Sequence, residues 1–346
     1  MRIGVVAPVW VAVPPKGYGG VEVVVSLLVE ELVDRGHDVT LFASGDSTTG
    51  ATLRFAYEVA PTDRLGEVEP DATHVGWAYR TIVAAHAAGE GFDLVHDHTD
   101  LLGAAFAAAL PAPVVHTVHL PIEQHRRAFL RRFGEDTYLT AVSDHQRDEA
   151  PELPWRARVH NAVDVESFPF REDDDGYLLC LGRVCAQKGQ DLAIDVARKA
   201  DLPLVIAGRM HPADAEFFHR AVEPRVDGDA VVFLGEVSNE RKRSLVAGAR
   251  ALLFTVREPE AFGLVMVEAM ASGTPVVAEP LGAVPEIVCH GETGFLASGV
   301  DAMADAVRRT GEISAGRCRD EAMARFHPRG MADGYEAVYR DVVASR

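Results

Sequence analysis

Glu260 and Glu268, with seven residues between them, are the side chains best suited to hold a ligand rich in hydroxyls. Every other residue from Leu264 to Ala271 is apolar, so Glu268 puts a carboxylate where helices normally bury hydrocarbon, and it needs a polar partner. A carboxylate accepts from two neighbouring hydroxyls, as a sugar or a ribose presents them. Between the two acids, the backbone N–H groups of Phe262, Gly263 and Leu264 stand at the start of a helix, at its positive end, where glycine permits close approach. That is an anion site. A core helix with a capping glutamate would explain the apolar residues but not Glu268.

Arg183 and Lys188 are the second candidate pair. They flank the loop Gly182–Gly189 (GRVCAQKG) between a strand, Tyr177 to Leu181, and a helix, Gln190 to Lys199. A guanidinium fork plus an ammonium point charge at one strand-to-helix junction suits a diphosphate, whose charge grows as a leaving group departs. Taken alone, the pair also fits two surface cations on a loop. Gly19 and Gly20, before the helix Val21 to Arg35, let backbone amides approach an anion, although a glycine pair in a tight turn looks the same. The spacing is not GxGxxG, so a dinucleotide fingerprint is unsupported.

Histidines close two further strands, Phe92 to His96 and Val114 to Val118, where open α/β sheets bind ligands. His96, Asp97 and His98 read as a solvated strand end rather than a metal set. His116 and His119 follow on the next strand. Asp173, Asp174 and Asp175 read as linker solvation, and Asp227-Gly228-Asp229 as a turn before a strand.

Positioning these groups takes repeated strand–helix units. Arg2 to Ala7 is a continuous apolar strand, Val21 to Arg35 has helical spacing ending at Gly36, and Asp38 to Ala43 is the next strand, a βαβ unit. Leu101 to Leu110 is a crossover helix, and Thr137 to Ser143, Leu204 to Gly208 and Val231 to Gly235 are further strands. The helix Leu264 to Ser272 stops at Gly273, and Thr274-Pro275 turns the chain into the strand Val276 to Ala278. Arg329 to Val343 is helical.

The stretch Arg257 to Ala278 (REPEAFGLVMVEAMASGTPVVA) resembles the E-x7-E motif of the retaining family-4 glycosyltransferases over nearly twenty positions. Gly182 to Gly189 resembles their "G-R-x4-K-G", and Val159 to Phe168 their "N-G-V-D-x-x-x-F", with Ala162 in place of the glycine. The resemblance implies an α/β protein of GT-B fold, two facing Rossmann-like domains with a deep cleft: residues 1–168 for the acceptor, 169–327 for the donor, and a helix in 328–346 packing back on the first. It implies that Glu260 binds the donor's sugar and Glu268 the ribose diol, and that Arg183, Lys188 and the amides of Phe262, Gly263 and Leu264 stabilise the diphosphate. The backbone near Val237 would read the nucleobase, and Gly19 and Gly20 would lie beside the diphosphate and sugar. His119 matches a T-x-H element facing the sugar, which favours it over His116. Glu286, in the "G-x-x-x-E" finish, is adequately explained as a helix cap.

The implied reaction moves a sugar from a nucleotide diphosphate, with UDP the commoner nucleotide and GDP and ADP the alternatives, to a hydroxyl with retention, using no metal and no cofactor beyond the nucleotide sugar. A nucleotide-sugar epimerase or hydrolase, or a binding subunit without chemistry, uses the same fold. Composition sets the remaining expectations. The chain has 346 residues, 48% hydrophobic and 25% charged, as in soluble globular proteins of about two domains. Its net charge of −18 repels nucleic acid and anionic lipid. His125, Arg126, Arg127, Arg131 and Arg132 form the main basic patch, read as a solvated helix face, with contact to an anionic acceptor or membrane as the alternative. The four cysteines lack zinc or CxxC spacing, which suits reduced cytoplasmic thiols. No apolar run is long enough to span a bilayer. A small soluble acceptor, such as a natural-product (antibiotic) or oligosaccharide intermediate, is therefore expected over a membrane lipid; nothing in the sequence speaks to oligomeric state.

Overall fold

The computed structural model describes residues 1–345. Contacts divide the chain into two units, residues 1–162 with the helix Pro328–Ala344, and Val163–His327.

The first unit is built on seven parallel strands, β1 (Arg2–Val6), β2 (Asp38–Ala43), β3 (Thr52–Phe55), β4 (Leu94–Asp97), β5 (Val114–Val118), β6 (Tyr138–Ala141) and β7 (Trp155–Arg158), in the order β3-β2-β1-β4-β5-β6-β7. Both faces of such a sheet are covered, so β1, β4 and β5 are continuous buried runs rather than alternating ones. The chain builds outward from β1 to β3, then returns to place β4 on the other side of β1. The carboxyl ends of β1 and β4 are thus the switch point where this architecture receives ligands. The helix Pro328–Ala344 packs on the helix Gly20–Asp34. Arg35 donates to Asp333 (2.7 Å) and Glu336 (3.1 Å), while Tyr335 and Tyr339 are fully buried.

The second unit repeats the plan with six parallel strands, β8 (Tyr177–Leu181), β9 (Leu204–Ala207), β10 (Val231–Phe233), β11 (Ala249–Phe254), β12 (Val276–Ala278) and β13 (Gly294–Leu296), in the order β10-β9-β8-β11-β12-β13. Its switch point lies between β8 and β11. The loops leaving those two strands are the ones that carry Arg183, Lys188 and Glu260. Leu178, Ile194, Ile206, Leu253 and Val277 fill its core.

Four strands fall on the sequence-expected residues: β2, β5, β8 and β12. The strand expected from Phe92 to His96 runs instead from Leu94 to Asp97, because the Asp93 side chain and backbone are engaged by Arg2 at the sheet entrance. The helix expected over Leu101 to Leu110 is five residues, Leu102–Phe106, ending in a 3-10 turn, Ala107–Ala109. Local sequence gives little sign of the 20-residue helix Val68–Ala87, whose inward face is weakly apolar and includes His74, or of β11, which lies between more conspicuous motifs. Among the described residues no helix is long and apolar enough to cross a membrane.

Candidate functional site

In the second unit, the helix Leu264–Ala271 begins where Gly263 turns to φ 87°, ψ 64°. That left-handed conformation favours glycine, and a Cβ there would stand 2.6 Å from Met266 Cε. The Met266 amide donates to the Gly263 carbonyl (3.0 Å), and the amides of Leu264 and Val265 before it have no intrahelical carbonyl to reach at the positive end of the dipole. Phe262, just before, is buried, with its ring edge-on to Phe326 at 5.8 Å.

The two glutamates each meet a lysine. Glu260 pairs with Lys188, whose ammonium lies 5.6 Å from the centre of the Phe254 ring. The Glu260 carbonyl accepts from Ala283 (2.9 Å), so the acid sits on backbone tied to the loop after β12. Glu268, only 6% exposed, accepts from Lys242 Nζ at 2.6 Å through Oε1, while Oε2 is buried with no hydrogen-bond partner. The partner that Glu268 requires is therefore Lys242, a residue the sequence reading missed. Lys242 lies on the helix Asn239–Gly248, capped by Ser238 immediately after half-buried Val237. Its one signal in the sequence was the unbalanced acid itself.

Lys188 is placed by its loop. Ala186–Lys188 forms a 3-10 turn closed by Gly189 at φ 65°, where a Cβ would collide with the Thr255 carbonyl. Thr255 Oγ1 donates to the carbonyls of Gly189 (2.8 Å) and Lys188 (3.1 Å), and the Arg257 amide donates to Gln187 (2.8 Å). The loop after β8 is thereby fastened to the end of β11. Arg183, at the other end of the loop, is half-exposed with Nε 3.7 Å from Asp214 Oδ2. The structure so joins Lys188 to Glu260 directly and gives Arg183 an acidic neighbour of its own. The two DxD-like triplets act as turns: Asp174 accepts from Gly176 and Asp175 pairs with Arg171, and Asp227 accepts from Asp229 and Val231.

In the first unit, Gly19 caps the helix Gly20–Asp34 at φ 146°, and a Cβ there would lie 2.8–2.9 Å from Val11 and Pro15. Glu22, in the first turn, is buried, and that burial raises its carboxyl to about 7. At the other side of the switch point the expected solvated strand end is corrected: His96, Asp97 and His98 are 0%, 0% and 2% exposed. The cover comes from Tyr79, from the Gly103 backbone and from Tyr335 and Tyr339 of the C-terminal helix. Tyr79 donates to Asp97 (2.9 Å), Thr99 N and Oγ1 donate to the same carboxylate, and His116 Nδ1 lies 3.7 Å away. Burial works to raise Asp97, but His116 and Thr99 hold it below the usual carboxylate range.

His96 shares hydrogen bonds with Tyr339 (2.6 Å) and Thr117 (2.8 Å), and its ring centre lies 3.9 Å from that of His98. His98 Nδ1 is 2.9 Å from His119 Nε2. Burial, reinforced by the neighbouring imidazoles, drives His96 and His98 well below the normal histidine value and His119 to about 3. The cluster is neutral at physiological pH. Among the described residues no three His, Cys, Asp or Glu side chains gather in metal-ligand geometry. The basic helix Gln124–Phe133 is also less solvated than expected, since Arg126 is buried against Asp100 and Arg127 is held by Glu152.

Comparison with known proteins agrees with this layout. Residues 164–322 match the family described as glycosyl transferases group 1, and residues 18–167 the one described as glycosyltransferase family 4. A phosphatidyl-myo-inositol mannosyltransferase of Mycolicibacterium smegmatis is 30% identical, over 95% of this chain and 89% of that one. A D-inositol 3-phosphate glycosyltransferase of Acidothermus cellulolyticus is 28% identical, over 95% and 87%. Among solved structures, a glycosyltransferase involved in avilamycin A biosynthesis superposes with a TM-score of 0.74 at 25% identity, covering 100% of this chain and 99% of that one.

Proposed function

Because the chain belongs to the family-4 glycosyltransferases with the GT-B fold, we propose that it moves a sugar from a nucleotide diphosphate sugar, UDP being the first nucleotide to test, to an acceptor hydroxyl with retention at the anomeric carbon. The observation that carries this reading is the pair of lysine-held carboxylates, Lys188–Glu260 and Lys242–Glu268, set about one glycine-started helix terminus. Glu260 binds hydroxyls of the transferred sugar, and Glu268, through its unpartnered Oε2, accepts from the ribose diol. Lys188, Arg183 and the amides of Phe262, Gly263 and Leu264 take the diphosphate, and the backbone near Val237 the base. Within the first unit, Gly19, Gly20 and His119 are the proposed ligand contacts.

In the reaction, the bond from the anomeric carbon to the diphosphate oxygen breaks and one to the acceptor oxygen forms on the same face. The acceptor proton passes to the departing diphosphate. Cationic side chains and helix amides aimed at that developing charge supply most of the stabilisation, so no divalent metal is required. The acceptor is a small soluble polyol, such as a natural-product or oligosaccharide intermediate. The 30% identity to a phosphatidyl-myo-inositol mannosyltransferase favours a second reading, transfer to the inositol headgroup of a lipid.

The test is donor turnover followed by proton NMR, using UDP-glucose, UDP-N-acetylglucosamine and GDP-mannose with myo-inositol, inositol 1-phosphate and oligosaccharide acceptors. The expected result is a product of retained anomeric configuration, formed in the presence of EDTA and much faster with acceptor than without. Equal donor loss without acceptor would make the protein a hydrolase, and interconversion of donors an epimerase.

A further inference from the structure

Four consecutive carbonyls in the loop after β8 are taken by two residues that follow β11. The Arg257 guanidinium donates to the Ala186 carbonyl (3.1 Å) and the Arg257 amide to that of Gln187 (2.8 Å). The Thr255 hydroxyl takes the next two, those of Lys188 (3.1 Å) and Gly189 (2.8 Å). Arg257 is itself fixed by two bonds to Asp191 (2.7 and 2.8 Å), in the first turn of the helix Gln190–Ala200. Thr255 is buried, and its own carbonyl fills the space that a side chain on Gly189 would need.

These bonds bear on Lys188 in particular. A side chain leaves the backbone in a direction set by the two peptide planes that flank its Cα. At Lys188 one plane is held through the Gln187 carbonyl and the other through the Lys188 carbonyl. The ammonium at the end of that side chain pairs with Glu260, further along the segment that Thr255 begins. Both partners of the ion pair are thus referred to one stretch of backbone. Of the bonds that hold the two planes, only the Thr255 hydroxyl belongs to a side chain, so a substitution can remove it alone.

We propose that Thr255 is a positioning residue for diphosphate recognition: its hydroxyl fixes the peptide after Lys188 and so sets where the Lys188 ammonium stands. The proposal rests on the reading above that Lys188 takes the diphosphate. A peptide's carbonyl and the amide that follows it point in opposite directions. Holding the Lys188 and Gly189 carbonyls toward Thr255 therefore also turns the amides of Gly189 and Gln190 away from it, at the positive end of the helix Gln190–Ala200. Without the hydroxyl both peptides can rotate, and the point charge loses its fixed place.

The experiment compares the wild type with Thr255→Val, Thr255→Ala, Thr255→Ser and Lys188→Ala. Valine keeps the shape and removes the donor, alanine removes both, and serine keeps the donor. Calorimetry measures affinity for UDP, GDP and ADP against UMP, GMP and AMP, so the gain due to the second phosphate is isolated. Urea unfolding of each variant reports stability separately. The expected result is that the second-phosphate gain falls by about tenfold in Thr255→Val and Thr255→Ala, the equivalent of one hydrogen bond, with monophosphate affinity unchanged. Thr255→Ser keeps the wild-type gain. A gain that survives in Val and Ala while only the urea midpoint falls overturns the proposal and leaves Thr255 a structural anchor. A serine variant no better than valine overturns it too. If Lys188→Ala abolishes the gain and the Thr255 variants do not, the Lys188 contact stands and only the positioning role is lost. If Lys188→Ala leaves the gain intact, or the wild type binds no nucleotide, the reading of Lys188 falls and the positioning role with it.

Discussion

The two units share a parallel sheet and a switch point but equip it in opposite ways. The second unit pairs each of its candidate carboxylates with a lysine, Glu260 partly buried and Glu268 buried. The first unit keeps the imidazoles of His96, His98 and His119 neutral, the first two buried, beside the carboxylate of Asp97. On the proposed function the contrast suits what each unit would meet. A diphosphate brings charge that only formal cations and helix termini match, whereas hydroxyls are met by uncharged donors and acceptors at lower desolvation cost.

If the charged side carries the chemistry, Lys188→Ala lowers kcat by roughly 10²–10³, in line with removing a group that stabilises developing charge. Equal losses from His119→Ala and Lys188→Ala would erase the distinction between the units. Initial-rate kinetics at saturating donor decides this.

A smaller effect separates the two ion pairs. Glu268→Ala weakens nucleotide binding by about 1–3 kcal/mol while leaving kcat at saturation nearly unchanged. Lys242→Ala instead destabilises the fold by about 3 kcal/mol, because it strands a buried carboxylate, which urea unfolding of the variant would show. A stable Lys242→Ala protein would mean that Glu268 is solvated enough not to need the pair.

Acid sharpens the contrast further. Histidines of depressed pKa, here His74 at about 4, His119 at about 3 and the two lower-shifted rings His96 and His98, bind fewer protons folded than unfolded. Their contribution is full above the unfolded value of about 6.5 and is lost as pH falls below it, by up to about 1.4 kcal/mol per histidine per pH unit. Glu22, raised to about 7 by burial, and Asp71, raised to about 6 by burial and by Asp97, act in the opposite sense over part of this range. Four histidines outweigh two carboxyls, so β1, β4 and β5 lose protection between pH 7 and pH 5. In the second unit, Asp191 is held below its usual range because its Arg257 partner outweighs burial, and it loses its contribution only below about pH 4. Hydrogen exchange at pH 7 and pH 5 reads the two units separately, and equal loss in both would contradict the contrast.

The smallest effect is expected at the basic helix. Arg127 is spent on Glu152 at the surface, so Arg127→Ala shifts the melting temperature by no more than about a degree. A shift of several degrees would mark that helix as a structural contact.

The charged side was the more legible of the two in the sequence. Glu260, Gly263, Glu268, Arg183 and Lys188 lie on short segments where a strand end, a glycine and a helix start follow one another, so local rules place them. Lys242 escaped notice because its meaning comes only from facing Glu268 across 26 residues of chain. The burial of His96, Asp97 and His98 was misread for the same reason on a larger scale: Tyr339, which closes over His96, is 243 residues away. A local pattern shows polar residues at a strand end; it does not show which distant helix covers them.

The most direct test of the charged site is calorimetric titration of UDP, GDP and ADP, with magnesium and with EDTA, into the wild type and Glu268→Ala. The account predicts that one nucleotide binds equally well in both buffers and about fivefold to 150-fold more weakly to the variant. Binding that requires magnesium, or that Glu268→Ala leaves untouched, would contradict it.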